Sequence, residues 1–204
     1  MPLFRPLPRS FYARSSVAVA RDCLGKHLVF ESSAGILSGR IVETEAYLGV
    51  RDRAAHSFGG RRTRRNEVMY GPAGFAYVFL IYGMHHHLNI VTDGPGEPTA
   101  VLLRAVEPRA GEDVMQRNRN VETRMLLTSG PAKLCQAFGI RIEYNGSDLC
   151  QAPLYLTAGP PPKHIRRTPR IGVDYAGAWA RRLLRFIDLD SPFLSPLGRR
   201  FVRT

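Results

Sequence analysis

The chain has 204 residues and a 44% hydrophobic content, enough for one domain with a sizeable core. Its 29 Lys plus Arg outweigh 17 Asp plus Glu to give a net charge of +12, which points to a polyanionic partner, and 26 of the 29 cations are Arg, suited to planar, bidentate and stacking contacts. Three widely spaced cysteines (Cys23, Cys135, Cys150) argue against a disulfide framework or zinc ribbon, the proline-broken start lacks a signal-peptide core, and the longest apolar run, about 75–84, falls short of the roughly 20 residues of a membrane span; these features predict a reducing, cytoplasmic setting and no membrane.

In chain order, residues 1–10 read as a flexible or surface-laid arm, and 11–204 as a single domain without internal repeats or an extended linker. Ser15 to Gly25 predicts a helix with a Ser cap and a Gly stop. His27 to Glu31 and residues 37–47 predict two strands joined by a turn near Ser33 to Gly35. A Gly- and Arg-rich stretch follows over 49–74, with Arg61, Arg62, Arg64 and Arg65 almost consecutive; it reads either as a solvated loop or as a phosphate-contacting one. Phe75 to Tyr82, Leu88 to Thr92 and Ala100 to Val106 predict strands, and Gly111 to Arg119 and Pro131 to Phe138 predict helices. The second helix opens with Ser129-Gly-Pro-Ala-Lys133, where the favoured reading is a simple cap, although free amides beside Lys133 could also meet a phosphate. A basic Pro-rich loop from Pro160, a short turn or helix over Asp174 to Arg182 and a late strand over Leu184 to Asp188 complete the pattern. The expected fold class is α+β, a curved and mainly antiparallel sheet with flanking helices and a protruding hairpin.

The densest chemistry lies in residues 40–56. In an uninterrupted strand Ile41, Glu43, Glu45 and Tyr47 share one face and Val42, Thr44 and Ala46 the other. Two acids and an aromatic ring then stand where apolar residues usually sit, just upstream of His56. A solvated edge strand is the plain alternative. Glu43 can either share the face of Glu45 or turn away to an arginine, and the second is preferred. His56 can equally be a satisfied core histidine.

Tyr82-Gly-Met-His-His-His-Leu-Asn89 joins two apolar strands, so Tyr82 either protrudes at the turn, where apolar groups can wedge into stacked bases, or folds back on the sheet. The three consecutive histidines invite a metal reading. Neighbouring strand residues alternate in direction and the flanks offer no ligand cluster, so no metal is expected.

Several motifs in order carry a resemblance to a known family: Gly39-Arg-Ile-Val-Glu-Thr-Glu-Ala-Tyr-Leu-Gly49, Ala55-His-Ser57, Met69 to Gly74, Tyr82-Gly-Met84, Leu88-Asn-Ile90, Leu102-Leu-Arg-Ala-Val-Glu-Pro108 and Gly130-Pro-Ala-Lys-Leu-Cys135. Over about Phe11 to Ser195 the chain closely resembles the alkyladenine (3-methyladenine, or methylpurine) DNA glycosylases. The resemblance implies a monofunctional, cofactor-independent and monomeric base-excision enzyme. It would flip alkylated purines (3-methyladenine, 7-methylguanine, ethenoadenine) or deaminated ones (hypoxanthine) from double-stranded DNA and hydrolyse the N-glycosidic bond. By position, Glu45 resembles the water-activating residue and Arg104 the group near the water and the adjoining phosphate. Tyr47, His56, Phe79 and Asn89 resemble the base pocket, with Asn89 set against the 2-amino group of guanine. Tyr82 resembles the residue that fills the vacated stack, and Met84, His85, Lys133 and the 61–65 arginines are candidate backbone contacts. Phe79 departs from the tyrosine often found there, which keeps the stacking surface and loses a hydroxyl.

The residue types suit that chemistry. A glutamate with the ordinary pKa of about 4.3 is ionised at neutral pH, as a general base must be. Stacking on aromatic rings supplies about 1–3 kcal/mol per base. Two other readings stay open at this point. One is a glycosylase with strand-cleaving lyase activity through Pro2 as amine, disfavoured by scarce lysines; the other is a non-catalytic basic RNA- or ribosome-binding module.

Overall fold

The computed structural model describes residues 4–199, with the side chain of Arg199 left aside. Pro2, and with it the candidate amine, lies outside the described residues. Helix α1 (Arg9–Tyr12) precedes α2 (Ser16–Cys23), and the Ser15 hydroxyl accepts from the Ala18 amide as the cap pattern predicts. Strands β1 (His27–Ser32) and β2 (Gly35–Tyr47) form a hairpin. After a run of short 3-10 turns come β3 (Ala76–Ile81), β4 (His85–Thr92) and β5 (Thr99–Ala110), then α3 (Glu112–Arg119) and α4 (Pro131–Phe138). Strands β6 (Leu154–Thr157), β7 (Ile165–Thr168) and β8 (Arg185–Asp188) follow, and α5 (Pro196–Arg199) ends the described chain. Of the expected arm, residues 6 and 7 lie along β6, with Pro6 bridging Thr157, and Arg9 binds Asp148.

Every strand pairing is antiparallel, in the order β3-β4-β5-β2-β1-β6, with β8 on β2 and β7 on β8. Strand β2 is therefore central, which overturns the edge-strand alternative. Along one edge it pairs with β5 for most of its length. Along the other it pairs with β1 up to Arg40 and with β8 from Glu43 to Glu45, so the sheet branches there.

Two register shifts accompany the branch. Between Ile41 and Glu43 strand β2 carries one residue, Val42, more than β5; between Glu43 and Thr44 it is β5 that carries one more, Arg104. Such bulges bend a strand and re-aim its side chains. The regular alternation expected for 41–47 consequently fails at its start. Ile41 joins Ala46 in the main core, while Val42 packs with Ala105, Ile187, Phe193 and Leu194 in a second cluster, on the side of Glu43. From Glu43 onward the alternation is regular: Thr44 turns toward α2, where its hydroxyl donates to the Ala20 carbonyl, and Glu43, Glu45 and Tyr47 look the other way.

The main core is the helix-covered face of the sheet. Val19, Ala20 and Cys23 of α2, Met115 of α3 and Leu134, Ala137 and Phe138 of α4 meet Val78, Leu88, Ile90, Val101 and Leu103. The period-2 pattern of β3, β4 and β5 sends the alternate residues Tyr77, Phe79, His87, Asn89, Leu102 and Arg104 to the opposite face, where they border a cavity.

Two sequence expectations need correction. The Pro-rich stretch from Pro160 is not loop throughout, since Ile165–Thr168 forms β7, and β6 was not foreseen. Both are four-residue strands completed by distant partners. The short turn or helix expected over Asp174 to Arg182 is present as a 3-10 run, Asp174–Arg181, interrupted at Gly177, whose φ of 61° and ψ of −127° suit glycine. Ser129 does not cap α4: the cap is Gly130, which makes no side-chain bond, and Ser129 is tied by its backbone to Ala105 of β5.

Candidate active site

A cavity of about 300 Å³ opens on the face of the sheet away from the helices, at the lower end of the roughly 300–1,000 Å³ typical of small-molecule pockets. Five predicted site residues, Tyr47, His56, Phe79, Asn89 and Arg104, line it, and Tyr82 stands at its mouth. Strands β2 to β5 deliver Tyr47, Phe79, Asn89 and Arg104, the turn between β3 and β4 delivers Tyr82, and His56 comes from the turns after β2; Tyr47 and Arg104 are 57 residues apart in sequence.

One wall is ionic. Glu45 is fully buried and sits behind the lining, covered by three residues that do line it. The Tyr47 hydroxyl donates to its Oε2 at 3.0 Å, the Ile171 amide donates to Oε1 at 2.8 Å, and Arg104 Nη1 lies 3.3 Å from Oε1. Burial, with Glu45 close by, pushes the Tyr47 phenol well above its ordinary pKa and keeps it a donor. Glu43 is also fully buried. Its Oε1 accepts from Arg104 Nε at 2.9 Å, Arg185 Nη1 at 3.0 Å and the Ser195 hydroxyl at 2.9 Å, and its Oε2 accepts from the Ser195 amide at 2.8 Å. Burial alone would raise this carboxyl, but Arg104, Arg185 and the Ser195 amide outweigh it and hold its pKa below the ordinary value. The preference for Glu43 turning away from Glu45 is thus half right. It binds arginines, yet it shares the face of Glu45, as two strand residues two positions apart do, and both carboxylates reach Arg104.

A second buried pair braces the same wall. Arg170 holds Asp52 through both of its terminal nitrogens, donates to the Ala46 carbonyl at 3.0 Å, and lies with its guanidinium carbon 4.7 Å from the centre of the Tyr47 ring. Asp52 also accepts from the Leu48 and Ala54 amides. This brace seats the segment that presents Ile171, Gly172, Val173 and Tyr175 to the cavity.

The opposite wall is aromatic. His56 Nδ1 lies 2.8 Å from the Tyr77 hydroxyl, and its ring meets Phe79 edge-on at 4.6 Å. Tyr77 and Phe79 are 5.2 Å apart with their planes tilted by 32°, and His87 lies 5.5 Å from Phe79. Enclosure by protein, then Arg65 and Arg61, lowers the His56 pKa to about 4; enclosure, then Arg104, His85 and His56, does the same for His87. Both imidazoles are neutral at pH 7. The alternative of His56 as a core histidine fails, because its ring, packed on one side against Tyr77 and Phe79, is open on the other and borders the cavity. Asn89 is buried, its amide nitrogen donating to the Tyr77 carbonyl at 3.2 Å.

Tyr82 is 86% exposed in the turn between β3 and β4, with a φ of 52° that non-glycine residues seldom adopt. The folded-back alternative is therefore excluded. Backbone strain and an exposed ring both cost free energy in the free protein. Met84 and His85 are exposed beside it.

The 61–65 arginines divide. Arg62 pairs with Glu67, and Arg65 lies over the Phe79 ring at 4.9 Å and donates to the Leu80 carbonyl, whereas Arg61 and Arg64 are exposed. Lys133 borders a shallower groove beside Arg104, Gly130 and Pro196.

Several site residues escaped the sequence reading. Tyr77 and His87 were legible in principle, each two positions from a predicted pocket residue on the same strand. Asp52, Arg170, Arg185 and Ser195 carried no local signal; their roles come from contacts spanning more than a hundred residues.

Comparison with known proteins gives one answer. Residues 10–192 match the family model described as methylpurine-DNA glycosylase. The putative 3-methyladenine DNA glycosylase of Methanocella arvoryzae is 51% identical over 191 residues, covering 93% of this chain and 95% of its own. Those of Desulfitobacterium hafniense, at 48% identity with 93% and 98% covered, and Myxococcus xanthus, at 49% with 95% and 97%, are also similar.

Proposed function

Starting from a chain that belongs to the methylpurine-DNA glycosylase family, and is a DNA N-glycosylase on that ground, we propose that it extrudes damaged purines from duplex DNA into the cavity between the ionic and aromatic walls and hydrolyses the glycosidic bond there. The observation that carries this reading is the juxtaposition of a buried, arginine-held carboxylate with a neutral aromatic surface.

The chemistry follows from the two walls. An alkylated purine carries positive charge and already leaves readily, so the enzyme must hold it and deliver water to a sugar developing oxocarbenium character. The aromatic wall, with Tyr47 facing it, stacks the base and favours a cationic one, to which neutral His56 and His87 offer no repulsion. Glu45 takes the proton of the attacking water through Oε2 once the Tyr47 hydroxyl yields its bond, and Arg104 orients the carboxylate through Oε1. Asn89, buried and fixed by the Tyr77 carbonyl, crowds a 2-amino group and so disfavours guanine; 7-methylguanine carries the same group and is released because its cationic ring already weakens the glycosidic bond. Tyr82 fills the gap left in the stack, and Arg61, Arg64, Met84, His85 and Lys133 face the phosphates, with Arg62 and Arg65 contributing field. The substrates are 3-methyladenine, 7-methylguanine, ethenoadenine and hypoxanthine, and the enzyme acts as a monomer. The Glu45 site and family membership disfavour the non-catalytic RNA-binding reading.

The test is base release from duplexes carrying each lesion. Wild type is expected to leave abasic sites, whereas Glu45→Gln binds the same duplex and loses about a thousandfold in single-turnover rate. Near-normal release by that variant would remove Glu45 from the reaction. Borohydride trapping of a protein–DNA adduct would instead revive the lyase alternative.

A further inference from the structure

Arg104 lies between two buried carboxylates and does not treat them equally. Its Nε is 2.9 Å from Glu43 Oε1 in a hydrogen bond, whereas its Nη1 stands 3.3 Å from Glu45 Oε1 in an ion-pair contact that is longer and weaker. Glu43 is itself fixed from two other parts of the chain: by Arg185 on β8, and by the amide and hydroxyl of Ser195 in the segment leading into α5. The same segment packs Phe193 and Leu194 against Val42, the bulged residue beside Glu43. The space around Glu43 is full, since a Cβ added at Gly198 would come within 2.9 Å of its Oε2.

We infer that Glu43 is the positioning residue of this active site, a fixed counter-charge that holds Arg104 at a distance from Glu45 so that the second carboxylate stays available to water. The inference rests on the roles proposed above for Glu45 and Arg104.

Glu43 and Glu45 compete for one guanidinium. In a buried site a cation moves to whatever anion is nearest, because attraction rises steeply as separation and local dielectric fall. Without the charge of Glu43, Glu45 would be the sole carboxylate on Arg104, and nothing would keep the guanidinium from closing on it. A base with both oxygens engaged by arginine has lost its lone pair for the proton of water. Two carboxylates two residues apart thus do different work. Glu43 is saturated with four donors and bound to the segment around Ser195, while the Glu45 oxygens hold Tyr47, Ile171 and an arginine in the longer, 3.3 Å contact. Alternation along β2 puts both acids on one face, and Arg104 is the extra residue that β5 carries opposite them.

The experiment compares Glu43→Gln with wild type on a duplex carrying the lesion that wild type releases fastest. The glutamine keeps the shape, removes the charge and cannot accept from the Ser195 amide and hydroxyl as well as the arginines. The expected result is about a hundredfold lower single-turnover rate, the scale of a misplaced catalytic group, with DNA affinity within about twofold of wild type. Glu43→Asp, which keeps the charge, should recover part of the loss. In an Arg104→Ala background, adding Glu43→Gln should change the rate by less than about twofold, since the two residues act as one unit.

A readout independent of catalysis is the ¹⁵N NMR signal of the Arg104 Nε–H group. It should be protected from solvent exchange in the wild type and lose that protection in Glu43→Gln. If Glu43→Gln does not fold, Glu43→Asp and Ser195→Ala carry the test, with smaller losses in the same direction. Normal turnover in these variants, an equal loss with and without Arg104, or an unchanged Nε–H signal would overturn the inference. A wild type that releases no base would defeat the functional reading instead, and the NMR comparison would still decide whether Glu43 sets Arg104.

Discussion

The two walls of the cavity manage polar groups in opposite ways. On the ionic wall charge is kept by pairing: Glu43, Glu45, Arg104, Asp52 and Arg170 are buried, and each has a charged partner. On the aromatic wall charge is removed, as enclosure and nearby arginines strip His56 and His87 of their protons. The difference teaches how one small cavity can hold a reacting carboxylate and still offer a soft surface to a cationic base. Rigidity belongs to the paired side, because removing one member of a buried pair leaves an uncompensated charge.

The sharpest way to break this division is Arg104→Met, which leaves Glu45 without a charged partner and Glu43 with Arg185 alone. Urea unfolding should show a loss of about 3–5 kcal/mol, with excision slowed by at least about a hundredfold, whereas a loss below about 1 kcal/mol would mean that the wall is not held by its charges. Phe79→Ala on the other wall should act mainly on the substrate. Affinity for a lesion duplex should fall by about 1–3 kcal/mol, the value of one stacked base, and Phe79→Tyr should be near neutral; both are measured by titration with a flipped-base analogue.

A third, smaller effect tests the neutral histidines. Their folded pKa values, about 4, lie below the ordinary 6.5, so as the pH falls the unfolded chain takes up protons first. Their contribution to stability is complete above about pH 6.5, declines toward pH 4 and levels off below it. Replacing His87 by Gln should therefore flatten the urea midpoint between pH 6.5 and 4 relative to wild type, with little change at pH 7.5. A variant whose profile stays parallel to that of wild type would show that His87 is not held neutral. Smallest in stability is Tyr82→Gly: relief of the positive φ should leave folding unchanged or improved by up to about 1 kcal/mol, while binding to duplex DNA weakens. A destabilised variant would mean that the ring has a partner in the free protein.

How much of this was readable beforehand depends on the range of the signal. The helices at Ser16–Cys23 and Pro131–Phe138 follow from a Ser cap, an early Pro and glycine stops, all within a few residues. Strands β3 to β5 follow from their β-rich composition. The four-residue strands β6 and β7 do not, since so short a segment carries almost no periodicity and is stabilised by its partners. Tyr47, Phe79, Asn89 and Arg104 were named from motif positions, and the fold brings them to one cavity. Glu45 lies one layer deeper than a list of motifs conveys.

The sequence by itself determined the basic surface, the α+β pattern, the family and the identity of several residues around the cavity, because composition, strand alternation and contiguous motifs are local properties. Tertiary structure decided the rest. That β2 is central, that paired bulges re-aim Val42 and Arg104, that Ser195 reaches Glu43 and that Arg170 seats Asp52 all depend on contacts between distant segments. A bulge is one extra residue in one strand relative to another, so it exists only as a relation between the two and cannot be read from either alone.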